Sequence, residues 1–232
     1  MRNISFISPF SDLLRSFTST SILDRARKKG LVKYNYLDLF SFSNNTHRRI
    51  DDYPYGGGEG MILTPQPIFS AFESIVKDGT NPRVIFPTPD GEKLSMDISL
   101  DLSKENNIVF ICGHYKGIDQ RVRDEIVTDE ISIGDYILTG GELPACVIID
   151  SIVRLIPGVL NNYESAMTDS FYGDLLDCAH YTRPEVFNDL KVPDVLTSGN
   201  HKEIEKWKME QRIKKTKSRR KDLYKKYLKN NN

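Results

Sequence analysis

Short apolar runs that end at glycine or proline and give way to helical stretches recur along this chain, and that alternation restricts its fold more than any other feature. Ile4-Ser5-Phe6-Ile7, residues 31–37, Arg83-Val84-Ile85-Phe86 and Asn107-Ile108-Val109-Phe110-Ile111 have the length and apolar content of buried strands. Helical stretches separate them. Ser8-Pro9 supplies an N-cap and a first-turn proline for a helix through Phe17, and residues 22–29 form a second helix stopped by Gly30. Thr64-Pro65 opens a third, with Ile68, Phe69, Phe72, Ile75 and Val76 on one face. Residues 143–156 form an almost wholly apolar helix carrying Val147, Ile148, Ile152, Val153 and Ile156. Strands alternating with helices predict an α/β fold with a mainly parallel sheet.

The pattern changes near Pro157-Gly158, where a polar, aperiodic stretch begins. The predicted organisation is a first domain over residues 1–160, a linker over 161–173, and a small, mainly helical C-terminal domain over 174–232. Ser198-Gly199-Asn200 caps a long helix there that holds the only tryptophan, Trp207. From His201 onward 13 Lys and Arg stand against four carboxylates, a surplus of nine cations that the remainder of this neutral chain offsets. A basic end on an acidic body suits a polyanionic partner, and equally describes a lysine-rich solvated helix. Cys112, Cys146 and Cys178 are odd in number and widely spaced, without zinc-ligand or redox spacing. Disulfides and a metal site are therefore not expected, and a reducing cytoplasm fits best. The apolar runs are too short to span a bilayer.

Three segments follow strands with turn chemistry: Pro87-Thr88-Pro89-Asp90-Gly91, residues 113–117 and residues 133–141. Glycines there permit close approach of a ligand to backbone, although each segment alone also reads as an ordinary tight turn. No Walker A lysine motif is present, and no Gly-x-Gly-x-x-Gly follows a strand. Thr168 or Asp169 reads as a helix N-cap, and Arg154 as an arginine snorkelling from the end of the apolar helix.

The strings Tyr53-Pro54-Tyr55-Gly56-Gly57-Gly58-Glu59-Gly60-Met61, Cys112-Gly113-His114-Tyr115-Lys116-Gly117-Ile118-Asp119, Ile133-Gly134-Asp135-Tyr136-Ile137-Leu138-Thr139-Gly140-Gly141-Glu142-Leu143 and Asp177-Cys178-Ala179-His180-Tyr181-Thr182-Arg183-Pro184 carry a closer identification. In this order, over a match running from the N-terminus to about Trp207, the chain resembles the bacterial tRNA (guanine-N1)-methyltransferases, knotted methyltransferases of the SPOUT superfamily. The resemblance implies a deep trefoil knot whose loops cradle S-adenosylmethionine through Pro89, Gly113, Tyr115, Gly117, Ile133, Gly134, Asp135, Tyr136, Ile137, Leu138, Gly140 and Gly141. It implies methylation of guanine N1 at tRNA position 37, beside the anticodon, in support of reading-frame maintenance.

By the same resemblance, Asp169 is the general base and Arg154 stabilises charge at guanine O6. The chemistry asks for both, because guanine N1 is a poor nucleophile until its proton leaves. An ordinary carboxylate, with a pKa of about 3.9, is a weak base for that proton unless burial or a nearby cation assists it. Arg48, Gly58, Glu59, Ser165, His180 and Arg183 are the expected RNA contacts, and tRNA the partner. The resemblance also implies a homodimer whose sites take cofactor loops from one chain and Asp169 from the other. The apolar helix is compatible with such an interface, and equally with a core. The family has Arg and Glu where this chain has His114 and Lys116, so a ligand for the magnesium associated with the family's transfer is replaced by an ammonium. A silent RNA-binding protein and a ribose 2′-O-methyltransferase are the competing readings.

Overall fold

The computed structural model describes residues 1–76, 81–160 and 169–231. Its contacts divide the chain into two compact units, Met1–Asn161 and Asn162–Asn232.

The first unit is built on a five-stranded sheet. Its strands are β1 (Arg2–Ser8), β2 (Val32–Asp38), β5 (Arg83–Lys93), β6 (Asn107–Ile111) and β7 (Asp129–Ser132), in the order β2-β1-β6-β5-β7. Every neighbouring pair in it is parallel. Asp51–Asp52 (β3) and Ile62–Leu63 (β4) form a separate two-residue antiparallel ladder. The predicted mainly parallel α/β sheet is thus present.

The continuous apolar runs follow from burial on both faces. Ile4, Phe6, Ile85, Ile108 and Phe110 turn to one core, while Ile7, Val84, Phe86, Val109 and Ile111 turn to the other, the period-two alternation of a pleated strand. The first core is closed by α1 (Ser11–Thr18), α2 (Ser21–Lys28) and α6 (Glu142–Val153) through Leu14, Leu23, Ile148, Ile149 and Ile152. Phe6 stacks on Phe110 at 5.3 Å within it. The second is closed by α3 (Pro65–Glu73), through Ile68 and Ala71, and by α5 (Gln120–Ile126), through Val122. On α6 the residues Ile148, Ile149, Ile152 and Val153 are therefore core, and its exposed apolar side chains are Leu143 and Val147. The helix α4 (Met96–Leu102) starts at Ser95, whose hydroxyl accepts from the Ile98 N–H.

Two local expectations need correction. The helix expected from Ser8-Pro9 begins at Ser11, because the Ser8 hydroxyl is engaged elsewhere: it donates to Glu142 and accepts from the Phe10 N–H. Residues 87–91 are not a loop after a strand but part of β5, in a register shift between Pro87 and Glu92 against β7. A bulge accommodates the prolines, which lack ladder donors.

In the second unit, Val186–Phe187 (β8) and Leu190–Lys191 (β9) pair antiparallel ahead of a one-turn helix, α7 (Asp194–Thr197). The long basic helix is α8 (His201–Arg219), and α9 (Lys221–Asn231) follows. As expected, Asn200 caps α8, its side chain accepting from the Glu203 N–H. Thr216 of α8 is fully buried and accepts from the Leu176 N–H at 2.8 Å, and Lys215 donates to the Asp177 carbonyl at 2.8 Å. These bonds tie the segment around Cys178 to α8. Residues 161–168 of the expected linker, including Ser165, lie outside the described residues.

Candidate functional site

A cavity of about 660 Å³ opens beside the Phe86–Pro89 stretch of β5 and beyond the carboxyl ends of β6 and β7, near the usual ligand position in open parallel sheets. Residues 86–89, 113–117, 131–134 and 136–141 wall it, with Gly60, Met61 and Pro144 completing the rim. Of the twelve residues expected to hold a cofactor, Pro89, Gly113, Tyr115, Gly117, Ile133, Gly134, Tyr136, Ile137, Leu138, Gly140 and Gly141 line this one space. Asp135 is exposed and does not.

The wall is held together by backbone. Gly141 donates its N–H to the Gly113 carbonyl at 2.8 Å, and His114 forms an isolated antiparallel bridge with Gly140. A β-carbon on Gly141 would come within 2.8 Å of Gly113 N and 2.9 Å of Cys112 Cα, so glycine is needed for this approach.

Beneath the wall lies a tie that sequence reasoning missed. Glu142, only 5% exposed, accepts from the Ser8 hydroxyl at 2.6 Å, and its other oxygen meets His114 Nε2 at 2.8 Å. One buried carboxylate thereby joins the end of β1, the loop after β6 and the first turn of α6, where a negative charge also suits the helix dipole. His114 further packs edge-on against Phe10 at 4.9 Å. Nothing in the spacing of Ser8 and Glu142 signals a contact between them.

A second brace holds the Pro87–Gly91 bulge. Arg123 donates to Asp90 at 2.8 Å and to both oxygens of Glu130 at 2.7 Å. The Thr88 hydroxyl donates to Asp90, and with Arg123 it holds the Asp90 carboxyl below the usual carboxylate range. Burial, then the charge of Glu142, raises the Cys146 thiol to about 12, and the same two causes lift Cys112 well above its ordinary value. Neither is an activated nucleophile.

The remaining expected residues of the first unit, Arg48, Gly58, Glu59 and Arg154, do not line the cavity. Arg154 is the C-cap of α6, whereas Glu142 begins that helix beside the cavity. Twelve residues at 1.5 Å each separate the two by about 18 Å, well beyond the reach of an arginine side chain. Arg48, Gly58 and Glu59 are exposed on the segment leading to Gly60 and Met61. In the second unit Asp169 is half-buried, and His180 and Arg183 are exposed. His180 Nε2 meets an Asp177 oxygen at 2.7 Å.

Among the described residues, Asp177, Cys178 and His180 are grouped closely enough to hold a metal ion. The His180 nitrogen is spent on Asp177, however, and burial followed by the Asp177 charge raises the Cys178 thiol. Lys208 and Arg212 line the same small cavity with Glu205, and Lys208 pairs with Glu205 at 2.8 Å. At the main cavity, no wall residue carries a carboxylate and Lys116 brings an ammonium, so the donor set does not suit a magnesium ion. Glycine backbone, apolar side chains and a few hydroxyls suit a nucleoside with an amino-acid tail instead. Among the described residues no helix is long and apolar enough to cross a membrane.

Comparison with known proteins agrees over nearly the whole chain. The family profile described as tRNA (Guanine-1)-methyltransferase TrmD matches residues 1–226. A Shouchella clausii protein named tRNA (guanine-N(1)-)-methyltransferase is 52% identical over 225 residues, covering 97% of this chain and 92% of the relative. Proteins of the same name from Clostridioides difficile, 52% identical over 94% of this chain and 95% of the relative, and Lachnospira eligens, 51% identical over 95% and 94%, agree. The chain belongs to the tRNA (guanine-1)-methyltransferase family.

Proposed function

We propose that this protein methylates N1 of guanine in tRNA, at position 37 next to the anticodon, using S-adenosylmethionine, and so supports reading-frame maintenance in the cytoplasm. The observation that carries the reading is the cavity, in which the bulged stretch of β5 meets the loops that follow β6 and β7. Bound there, the cofactor supplies an electrophilic methyl group on a sulfonium. The protein's own residues do the rest. Gly113, Gly141 and the 133–138 segment orient the ligand and exclude water from the reacting centre. Asp169 takes the N1 proton, and Arg154 stabilises the charge that develops on O6. The buried, unactivated thiols are consistent with direct transfer and no covalent enzyme intermediate.

The position of Arg154 supports an active site shared between two chains of a homodimer. One chain cannot bring both ends of α6 to one reacting centre, whereas two chains packed face to face can. Phe10, Leu13, Leu143 and Val147, exposed apolar side chains on or beside α1 and α6, suit such a face. The close crossing of Gly141 over Cys112 and Gly113 supports knotted threading of the first unit. Arg48, Gly58, Glu59, Ser165, His180 and Arg183 contact the RNA, and the cations of α8 and α9 attract its backbone.

The test is mass analysis of nuclease-digested tRNA after incubation with protein and cofactor. The reading expects 1-methylguanosine from the anticodon loop. A nuclease-resistant, ribose-methylated dinucleotide, or no methylated product, would overturn it.

A further inference from the structure

Lys116 carries a charge for which the proposed reaction has no use. It lines the cavity of the first unit, where it is the only Lys, Arg, Asp or Glu of the wall among the described residues. His114, the other basic side chain on the wall, is engaged by Glu142 at 2.8 Å. The Lys116 backbone N–H donates to the Met61 carbonyl at 3.0 Å, which anchors the residue at its root. Its stem then lies along Gly60: a β-carbon on Gly60 would come within 2.9 Å of Lys116 Cγ and 3.3 Å of Cε. The ammonium itself pairs with no carboxylate among the described residues. An exposed cation is thus guided to the rim of an otherwise neutral pocket.

We propose that Lys116 determines cofactor affinity and specificity by holding the carboxylate of the cofactor's amino-acid end. This rests on the reading of S-adenosylmethionine as the ligand of the cavity. That ligand carries two cationic groups, a sulfonium and an ammonium, and a single anionic one. Coulomb repulsion turns a fixed ammonium away from the first two and attraction turns it toward the third. Lysine is suited to the task, as a compact point charge with three donors that can follow a carboxylate without demanding one plane. A ligand without the carboxylate loses this contact and keeps every contact with the glycine loops. Lys116 therefore selects amino-acid-bearing nucleosides over their decarboxylated counterparts.

Calorimetry without RNA tests the assignment, using wild type, Lys116→Met and Lys116→Arg with S-adenosylmethionine and with decarboxylated S-adenosylmethionine. Lys116 is exposed, so the variants should melt like wild type, which thermal unfolding checks. Lys116→Met should weaken S-adenosylmethionine about tenfold or more, as expected for loss of a charge-assisted bond. Lys116→Arg should recover most of that loss. The decarboxylated ligand, which carries only cationic groups, should bind Lys116→Met at least as tightly as wild type. Unchanged S-adenosylmethionine affinity in Lys116→Met, or an equal loss for both ligands, overturns the assignment alone. Wild type that binds neither ligand overturns the cofactor reading, and the assignment with it.

Discussion

Helix α6 joins two regions of opposite character. At its start, Glu142 is buried, bonded to Ser8 and His114, and set beneath a cavity whose wall is mostly backbone. At its end stands Arg154, half-buried and about 18 Å further along the axis. The first region is tied together by buried hydrogen bonds and offers a cavity to a ligand. The second offers a guanidinium, useful only where charge develops in a reaction. In the proposed shared site the two ends serve different reacting centres, one in the helix's own chain and one in a partner.

That contrast can be broken by separating binding from turnover. Asp169→Ala should lower methylation about 10²–10⁴-fold, and Arg154→Ala about 10²–10³-fold. Both should leave calorimetric affinity for S-adenosylmethionine unaltered, since neither residue is part of the cavity wall. A matching loss of cofactor binding in Arg154→Ala would mean that the two ends of α6 are not distinct. Gly141→Ala should do the reverse. Its new methyl group meets the Cys112–Gly113 backbone, so the wall must shift, and cofactor affinity should fall at least tenfold in protein that still unfolds cooperatively.

Smaller effects sharpen the same division. Glu142→Ala removes a buried acceptor and leaves Ser8 and His114 without their shared partner. It should cost about 1–3 kcal/mol in denaturant unfolding, while Glu142→Gln should cost less. On the second unit, replacing exposed Lys206 and Lys214 by Ala should leave cofactor affinity intact. It should reduce the slope of log affinity for tRNA against log salt by about 1.4–1.8. An unchanged slope would remove α8 from the RNA surface.

The smallest effect is on acid stability. The Asp90 carboxyl is held below its ordinary value by Thr88 and Arg123. A folded-state pKa lower than the unfolded one stabilises the fold above the unfolded value, about 3.9. That contribution disappears as pH falls through the lowered folded value. Arg123→Gln should therefore flatten the acid limb of thermal stability below about pH 4. An acid limb as steep as that of wild type would show that the brace on the Pro87–Gly91 bulge contributes nothing.

How much was legible in the sequence depends on the range of the forces involved. The strands at residues 4–7 and 107–111 were readable because burial on both faces leaves an unbroken apolar signature. The Asn200 cap was readable because the bond it makes is local. The start of α1 was misplaced by the 134-residue contact from Ser8 to Glu142, which no local pattern announces. The Pro87–Gly91 bulge was misread as a loop because prolines and a glycine punctuate both structures in the same way. For the candidate site, the glycine strings pointed to eleven wall residues, and only through resemblance. The tie below the wall depends on three segments meeting in space, so residue spacing carried no trace of it.

The most direct test of the shared site is co-expression of Asp169→Ala and Gly141→Ala chains in equal amounts, with methylation measured on the mixed protein. Random pairing of the chains makes half of the dimers mixed, each with one intact cavity facing one intact Asp169. At a cofactor concentration that fills the wild-type cavity but not that of Gly141→Ala, the account predicts recovery to about one quarter of wild-type activity, from two parents that are each nearly inactive. Activity no higher than that of the parents would place cavity and base in the same chain, and would contradict the site shared between two chains.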